Sequence, residues 1–195
     1  MNLEKVLERG RNIRVLGFDD SHHQGLPWGA VVNVAGVVCS GVRFEGMLWG
    51  QIAKDGMDAT EALVSMFNES KFAAQVHLML LDGLTFAGCD VIDLPRLAEQ
   101  TGVPTAAVMR RQPDMERFRQ VVDSLPESEE RWRRVQAAGE IHQHSHFFYQ
   151  VAGGDVKTIG RALVRLTDQG KVPEALRLAH LIGSAVMLGE SGRRA

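Results

Sequence analysis

Cysteine is scarce: Cys39 and Cys89 are the only two in 195 residues. That is too few for the disulfide framework that staples small secreted domains, and a reducing cytoplasm is the expected setting. Neither sign of charge dominates, with 22 Lys plus Arg against 24 Asp plus Glu and a net charge of −2. A basic nucleic-acid coat is therefore absent, although a local field can still hold a polyanion. No stretch approaches the about 18 uninterrupted apolar residues of a membrane span. The opening MNLEKVLERGRNIRV has no apolar core of signal-peptide type, so no membrane association is expected. Internal repeats and low-complexity segments are also missing. What is present is an ordinary globular mixture, 45% hydrophobic and 24% charged, which excludes long disorder, collagen and coiled coil. The length suits one domain over residues 1–195.

Three strand-like runs come first: Ile13 to Phe18, Ala30 to Cys39 and Val42 to Ala53. Short Gly- or Pro-containing links join them, which reads as an antiparallel meander. The period then changes. Asp58, with Glu61 three residues on, has the spacing of a capping box opening a helix to about Asn68. Val76 to Leu81 is a continuous apolar strand suited to burial on both faces. A helix from about Asp93 to Gln100 stops at Gly102, and Pro104 to Met109 reads as another buried strand. The charged region 114–138 predicts two helices broken around Pro126. Phe147 to Ala152 is strand-like, and Val156 to Asp168 and Pro173 to Leu188 are amphipathic helices. This order predicts an α/β fold, a mixed five- or six-stranded sheet with helices on both faces, the order shared by ribonuclease H-like folds.

Acids stand where apolar strands end: Asp19-Asp20 after the first, Asp55 after the third, and Asp82 after the fourth. A single Asp-Gly is most simply a turn. Three such positions on neighbouring strands predict convergence at one sheet edge. Hard divalent cations prefer several carboxylate oxygens, and such an ion can serve phosphodiester cleavage. Asp58 reads as a helix cap, with an alternative role as the third acidic ligand in place of Asp55.

The strings Leu16-Gly17-Phe18-Asp19-Asp20, Asp55-Gly56-Met57-Asp58-Ala59-Thr60-Glu61, Leu81-Asp82-Gly83-Leu84-Thr85-Phe86-Ala87-Gly88 and Val108-Met109-Arg110-Arg111 together resemble the endonuclease dU family, a relative of endonuclease V. The resemblance runs from about residue 11 to the C-terminus. It implies a metal-dependent endonuclease of DNA, acting near a deaminated base, with deoxyuridine as the base in the family's name, and Mg²⁺ or Mn²⁺ as cofactor. It implies Asp19, Asp55 and Asp82 as metal-holding residues, with Asp20 as an auxiliary. Arg110 takes the place of a functional lysine of endonuclease V. His180, at the end of the string Pro173-Glu174-Ala175-Leu176-Arg177-Leu178-Ala179-His180, takes the place of an active-site histidine. Three positions depart from the endonuclease V pattern: Asp55 replaces a glutamate, Gly88 a histidine, and Gly46-Met47-Leu48 the wedge that parts the strands beside a lesion.

These departures motivate a competing reading, a nucleic-acid-binding protein that keeps the fold without the chemistry. A structure-selective nuclease shares the metal site but not the lesion pocket. His142, His144 and His146 alternate, a spacing that suits zinc or copper if extended, and a solvated strand edge or loop otherwise. His22-His23 follow the first acidic pair and read as loop, with reach to the site as the alternative, and Trp49 reads as core. Arg117, Arg119, Arg131, Arg133 and Arg134 are natural phosphate contacts, but the interleaved Glu127, Glu129 and Glu130 favour a surface of ion pairs. The sequence leaves the oligomeric state open.

Overall fold

The computed structural model describes residues 2–191. Its centre is β1 (Arg14–Asp20), buried at all five interior positions. The strand pairs antiparallel with β2 (Val31–Ser40) and parallel with β4 (Leu78–Asp82). With β3 (Arg43–Ala53), β7 (Thr105–Met109), β8 (His142–His144) and β9 (Phe147–Ala152) it forms a seven-stranded sheet, order β3-β2-β1-β4-β7-β9-β8. The seventh strand is β8. Its polar His-Gln-His run pairs with β9 across a tight turn where Ser145 takes φ 55°, and nothing apolar marks it as a strand. A separate two-stranded ribbon joins β5 (Thr85–Phe86) to β6 (Asp90–Val91).

Helices cover both faces. Leu16, Phe18, Met79 and Leu81 pack against α2 (Ala59–Asn68), α3 (Leu94–Thr101) and α5 (Ser128–Ala137), with α4 (Met115–Asp123) outside them. Val15, Leu78 and Leu80 point the other way, toward α1 (Leu3–Glu8), α6 (Val156–Arg165) and α7 (Glu174–Leu188). The alternation is the period of two of a strand, and it continues through the acids. Asp19 belongs to the α7 face and Asp20 to the α2 face. Among the described residues no helix is long and apolar enough to cross a membrane.

The helix caps divide into local and distant ones. Asp93, Asp114 and Asp155 each accept a backbone N–H three residues ahead, the usual N-cap bond. Asp58 does not. Its carboxylate accepts the Ala53 N–H at 3.2 Å, while Ala59, first residue of α2, donates to Asp90 Oδ2 at 2.9 Å. Glu61 closes no capping box and pairs with Arg96 at 2.6 Å. The loop that brings Asp90 to this helix start is specified by tertiary packing, which a local motif does not contain.

One contact sets the spacing of α7 above the sheet. Gly17 lies beneath it so closely that a Cβ there would stand 2.8 Å from the Ala175 carbonyl carbon. Only glycine admits that approach.

Candidate functional site

Parallel β1 and β4 end side by side, and each ends in an acid facing α7. Asp19 is 5% exposed, and its Oδ2 lies 2.9 Å from His180 Nδ1 on α7. Asp82 closes β4 next to it. One ligand atom from each of Asp19, Asp82 and His180 lies within 4.8 Å of the others, the one such trio among the described residues. They border a cleft of about 330 Å³ that Ser21, His22 and His23 also line.

The electrostatics follow from two carboxylates sharing a half-dry site. Burial pushes Asp19 up to about 6; the His180 hydrogen bond pulls it down, and the charges of Asp82 and Asp20 add to the rise. Burial also raises Asp82, against the pull of Arg110 and His180. His180 is raised in turn, first by its hydrogen bond to Asp19. Ionised carboxylates held this way are undercompensated, and oxygen-rich, partly dehydrated sites of this kind suit a hard divalent cation. The residues present therefore fit such an ion, with the two aspartates as oxygen donors. The His180 bond to Asp19 is the orienting contact expected next to a metal ligand. Arg110 Nη2 stands 3.5 Å from Asp82 Oδ2 with its side chain 41% exposed, close enough for attraction and open enough to reach a second anion.

The other expected acids are placed differently. Asp20 lines the same cleft from the next position of β1, but its carboxylate accepts the Ala87 N–H at 2.7 Å and pairs with His23 Nδ1 at 2.9 Å. Asp55 adopts φ 54° just beyond β3. It donates its N–H to Ala87 O and accepts the Cys89 N–H on Oδ1 at 3.0 Å. Asp55 is thus joined to Asp20 through a single residue, Ala87, and its carboxylate is outside the trio. Asp58, turned to Ala53, is outside it too. Gly88 shares this loop at φ 101°, and a Cβ there would stand 2.3 Å from Asp55 Oδ1, so a side chain at this position would strain the backbone and displace the Asp55 carboxylate.

Arg131 holds the loop in place, a role its sequence context does not signal. Read as part of a charged surface, it is instead fully buried. Its guanidinium donates to the carbonyls of Asp55 at 2.7 Å and Pro126 at 3.0 Å, and to that of Cys89. Arg134 is buried as well, donating to Val91 O at 3.0 Å. Arg133 and Arg119 do form surface ion pairs, with Glu130 and Asp123. Trp49, expected in the core, is 39% exposed on β3, because α7 does not extend over this edge strand. The His142, His144 and His146 side chains form no ligand trio among the described residues; His142 lies against Tyr149 and His146 against Phe147.

Beyond Asp82, on the other side of Gly83, lies an apolar cleft of about 200 Å³ lined by Leu84, Met109, Met115, Phe118 and Val135.

Residues 11–187 match the family model described as Endonuclease dU. The chain belongs to the Endonuclease dU family. A UPF0215 protein of Methanosarcina barkeri is 39% identical over 188 residues, spanning 94% of this chain and 95% of the relative. The UPF0215 protein of Pyrococcus furiosus is 35% identical over 187 residues, spanning 94% and 96%. Among solved structures, a protein of unknown function from Archaeoglobus fulgidus superposes with a TM-score of 0.84 at 36% identity, covering 89% of this chain and 98% of that one. Endonuclease V of Ciona intestinalis, in complex with a 24mer DNA containing an inosine followed by a ribo-adenosine, superposes at 0.58 with 13% identity, covering 87% and 84%. At that identity the likeness is one of fold. This member of the Endonuclease dU family has the ribonuclease H-like mixed sheet of endonuclease V.

Proposed function

We propose that this Endonuclease dU family protein is a divalent-metal-dependent endonuclease that nicks DNA near a deaminated base, deoxyuridine foremost. The observation that carries the reading is the approach of Asp19, Asp82 and His180 within 4.8 Å at the ends of two parallel strands. Asp19 and Asp82 hold the cation, Mg²⁺ or Mn²⁺. When bound, the ion offsets their charge and stabilises negative charge gathering on a phosphodiester. Arg110 binds a phosphate oxygen while leaning on Asp82. His180, whose proton affinity is raised first by its hydrogen bond to Asp19, gives a proton to the oxygen that departs as a water molecule attacks the phosphorus. Asp20 and Asp55 stand in support on the adjoining face, fixing the Ala87–Cys89 segment beside the site. The cleft beyond Gly83 takes a base extruded from the duplex, and Phe118 and the two methionines offer it apolar contact. The family's name and the DNA in the endonuclease V complex support the choice of substrate.

The test is a panel of labelled oligonucleotides carrying uracil, hypoxanthine, xanthine or no lesion, incubated with Mg²⁺ or Mn²⁺. Nicking of the uracil strand, abolished in Asp82→Asn with a melting temperature no lower than wild type, is the expected result. Equal cutting of every strand rejects the lesion assignment, and activity retained in Asp82→Asn rejects the site.

A second reading, a nucleic-acid-binding protein without chemistry, draws on Asp55 lying outside the trio. Calorimetric titration with Mn²⁺ separates the two, since a degenerate site gives no saturable heat.

A further inference from the structure

At the opposite end of the sheet, two adjoining clefts share Asn12 and Ser40. One, of about 290 Å³, is lined by Arg11, Asn12, Arg14, Ser40 and His77. The other, of about 310 Å³, adds Arg43 and Arg165. No carboxylate lines either. The nearby Glu45 is spent on two of the arginines, accepting from Arg14 Nε at 2.7 Å and Arg43 Nη2 at 2.9 Å. Four guanidinium groups thus border the clefts on a chain whose net charge is −2, so the positive field is local.

Arg165 Nη2 is engaged with Gly10 O at 2.8 Å, but other donors here are left over from the fold. Arg14 gives Nε to Glu45 and Nη1 to Gln75 at 2.8 Å, and Nη2 has no partner among the described residues. The Arg11 guanidinium, the Asn12 amide and the Ser40 hydroxyl make no hydrogen bond among them either. His77 adds a defined tautomer. Its Nδ1 accepts the Arg14 backbone N–H at 2.9 Å. Burial, reinforced by the charges of Arg14 and Arg11, lowers its proton affinity and leaves the ring neutral at pH 7. The remaining proton sits on Nε2, making that atom a donor as well. Guanidinium forks, a hydroxyl, an amide and an imidazole N–H without an opposing acid form a recognition set for a tetrahedral oxyanion.

We infer that this cleft, at the starts of β1 and β4, binds a phosphate group. It is a site separate from the acid trio: Asp19 lies five residues along β1 from Arg14, about 16 Å of strand. The phosphate comes either from a polynucleotide backbone that passes around the molecule or from a free phosphomonoester.

The experiment is amide chemical-shift mapping of the full-length ¹⁵N-labelled protein, titrated separately with inorganic phosphate, a nucleoside monophosphate and an undamaged DNA duplex. Saturable shifts at residues 12–14, 40 and 77, which matched chloride does not produce, are expected. Arg11→Ala, an exposed side chain without fold contacts, should weaken the response at least tenfold, about 1.4 kcal/mol. If the duplex moves these amides well below the phosphate concentration needed, the source is a polynucleotide; if the small anions do so and the duplex does not, it is a phosphomonoester. Asp82→Asn should leave the response intact, so failure of the nuclease reading does not carry this one with it. Absence of shifts with every anion, or shifts undiminished in Arg11→Ala, overturns the site.

Discussion

Burial denies the Asp19 carboxylate water, and the neighbouring Asp82 charge adds to the cost of ionising it, which makes the metal-free protein sensitive to alkali. Asp19 is raised from the ordinary 3.8 to about 6, so the unfolded chain loses this proton first. Its contribution to stability therefore falls as pH climbs from about 4 through about 6. The raised affinity of His180 acts in the same direction, since its stabilisation is complete below the ordinary histidine value and is lost as pH rises through the folded one. Thermal melts of wild type and Asp19→Asn from about pH 5 to pH 8 should diverge in favour of the variant as pH rises. Millimolar Mn²⁺ should raise the wild-type melting temperature at the alkaline end and leave the variant unmoved; parallel curves would reject the electrostatic account. Arg131 carries a different expectation. Truncation to Ala strands the carbonyls of Asp55, Pro126 and Cys89, and should cost about 3 kcal/mol or more in chemical denaturation. Asp19 and Asp82, which the structure brings together, were legible as acids closing apolar strands, whereas Asp55, read the same way, lies outside the trio. His180 was legible only through the resemblance of its string to endonuclease V, since a lone histidine on an amphipathic helix reads as packing. Arg131 was not, since an arginine satisfied by distant carbonyls has the same local context as a solvated one.

Elements whose signals lie within one turn were legible from sequence, and those completed by remote partners were not. Helix α3 runs from its Asp93 cap to a left-handed Gly102, and the break around Pro126 separates α4 from α5, both as the sequence indicates. Helix α2 is the instructive exception. Its first N–H is satisfied by Asp90, a fully buried acid whose second oxygen stands 3.7 Å from Arg134. Replacing Asp90 with Ala removes the cap and leaves the Arg134 charge without its neighbour, an expected loss of about 2–4 kcal/mol. Asp58→Ala, which gives up one partly exposed bond to Ala53, should cost about 1 kcal/mol or less. Equal losses in urea titrations of the two variants would return the capping role to Asp58. Strand β8 was legible only as a solvated strand edge or loop, for a related reason: three polar residues at a sheet edge gain their conformation from β9 alone.

Over the whole molecule, the sheet separates its tasks by end and by face. The carboxylates gather where β1 and β4 finish, the arginine-lined clefts where they begin, and the apolar cleft opens beside Gly83. Relative placement then rests on how helices seat against the sheet, and Gly17 sets α7 directly by its backbone, under the Ala175 carbonyl carbon. From that point to Asp19 is two residues of strand, about 6.6 Å; from Ala175 to His180 is five residues of helix, about 7.5 Å. The two paths climb nearly equal distances from one pivot, which is why the imidazole arrives level with the carboxylate. Gly17→Ala should cost about 1–3 kcal/mol by overpacking and, in the folded fraction, return the His180 proton affinity toward its ordinary value, read by NMR titration of the ring. A methyl group at residue 17 would work as a shim under a lever, lifting the far end of the helix off the chemistry while leaving every reacting side chain in the sequence.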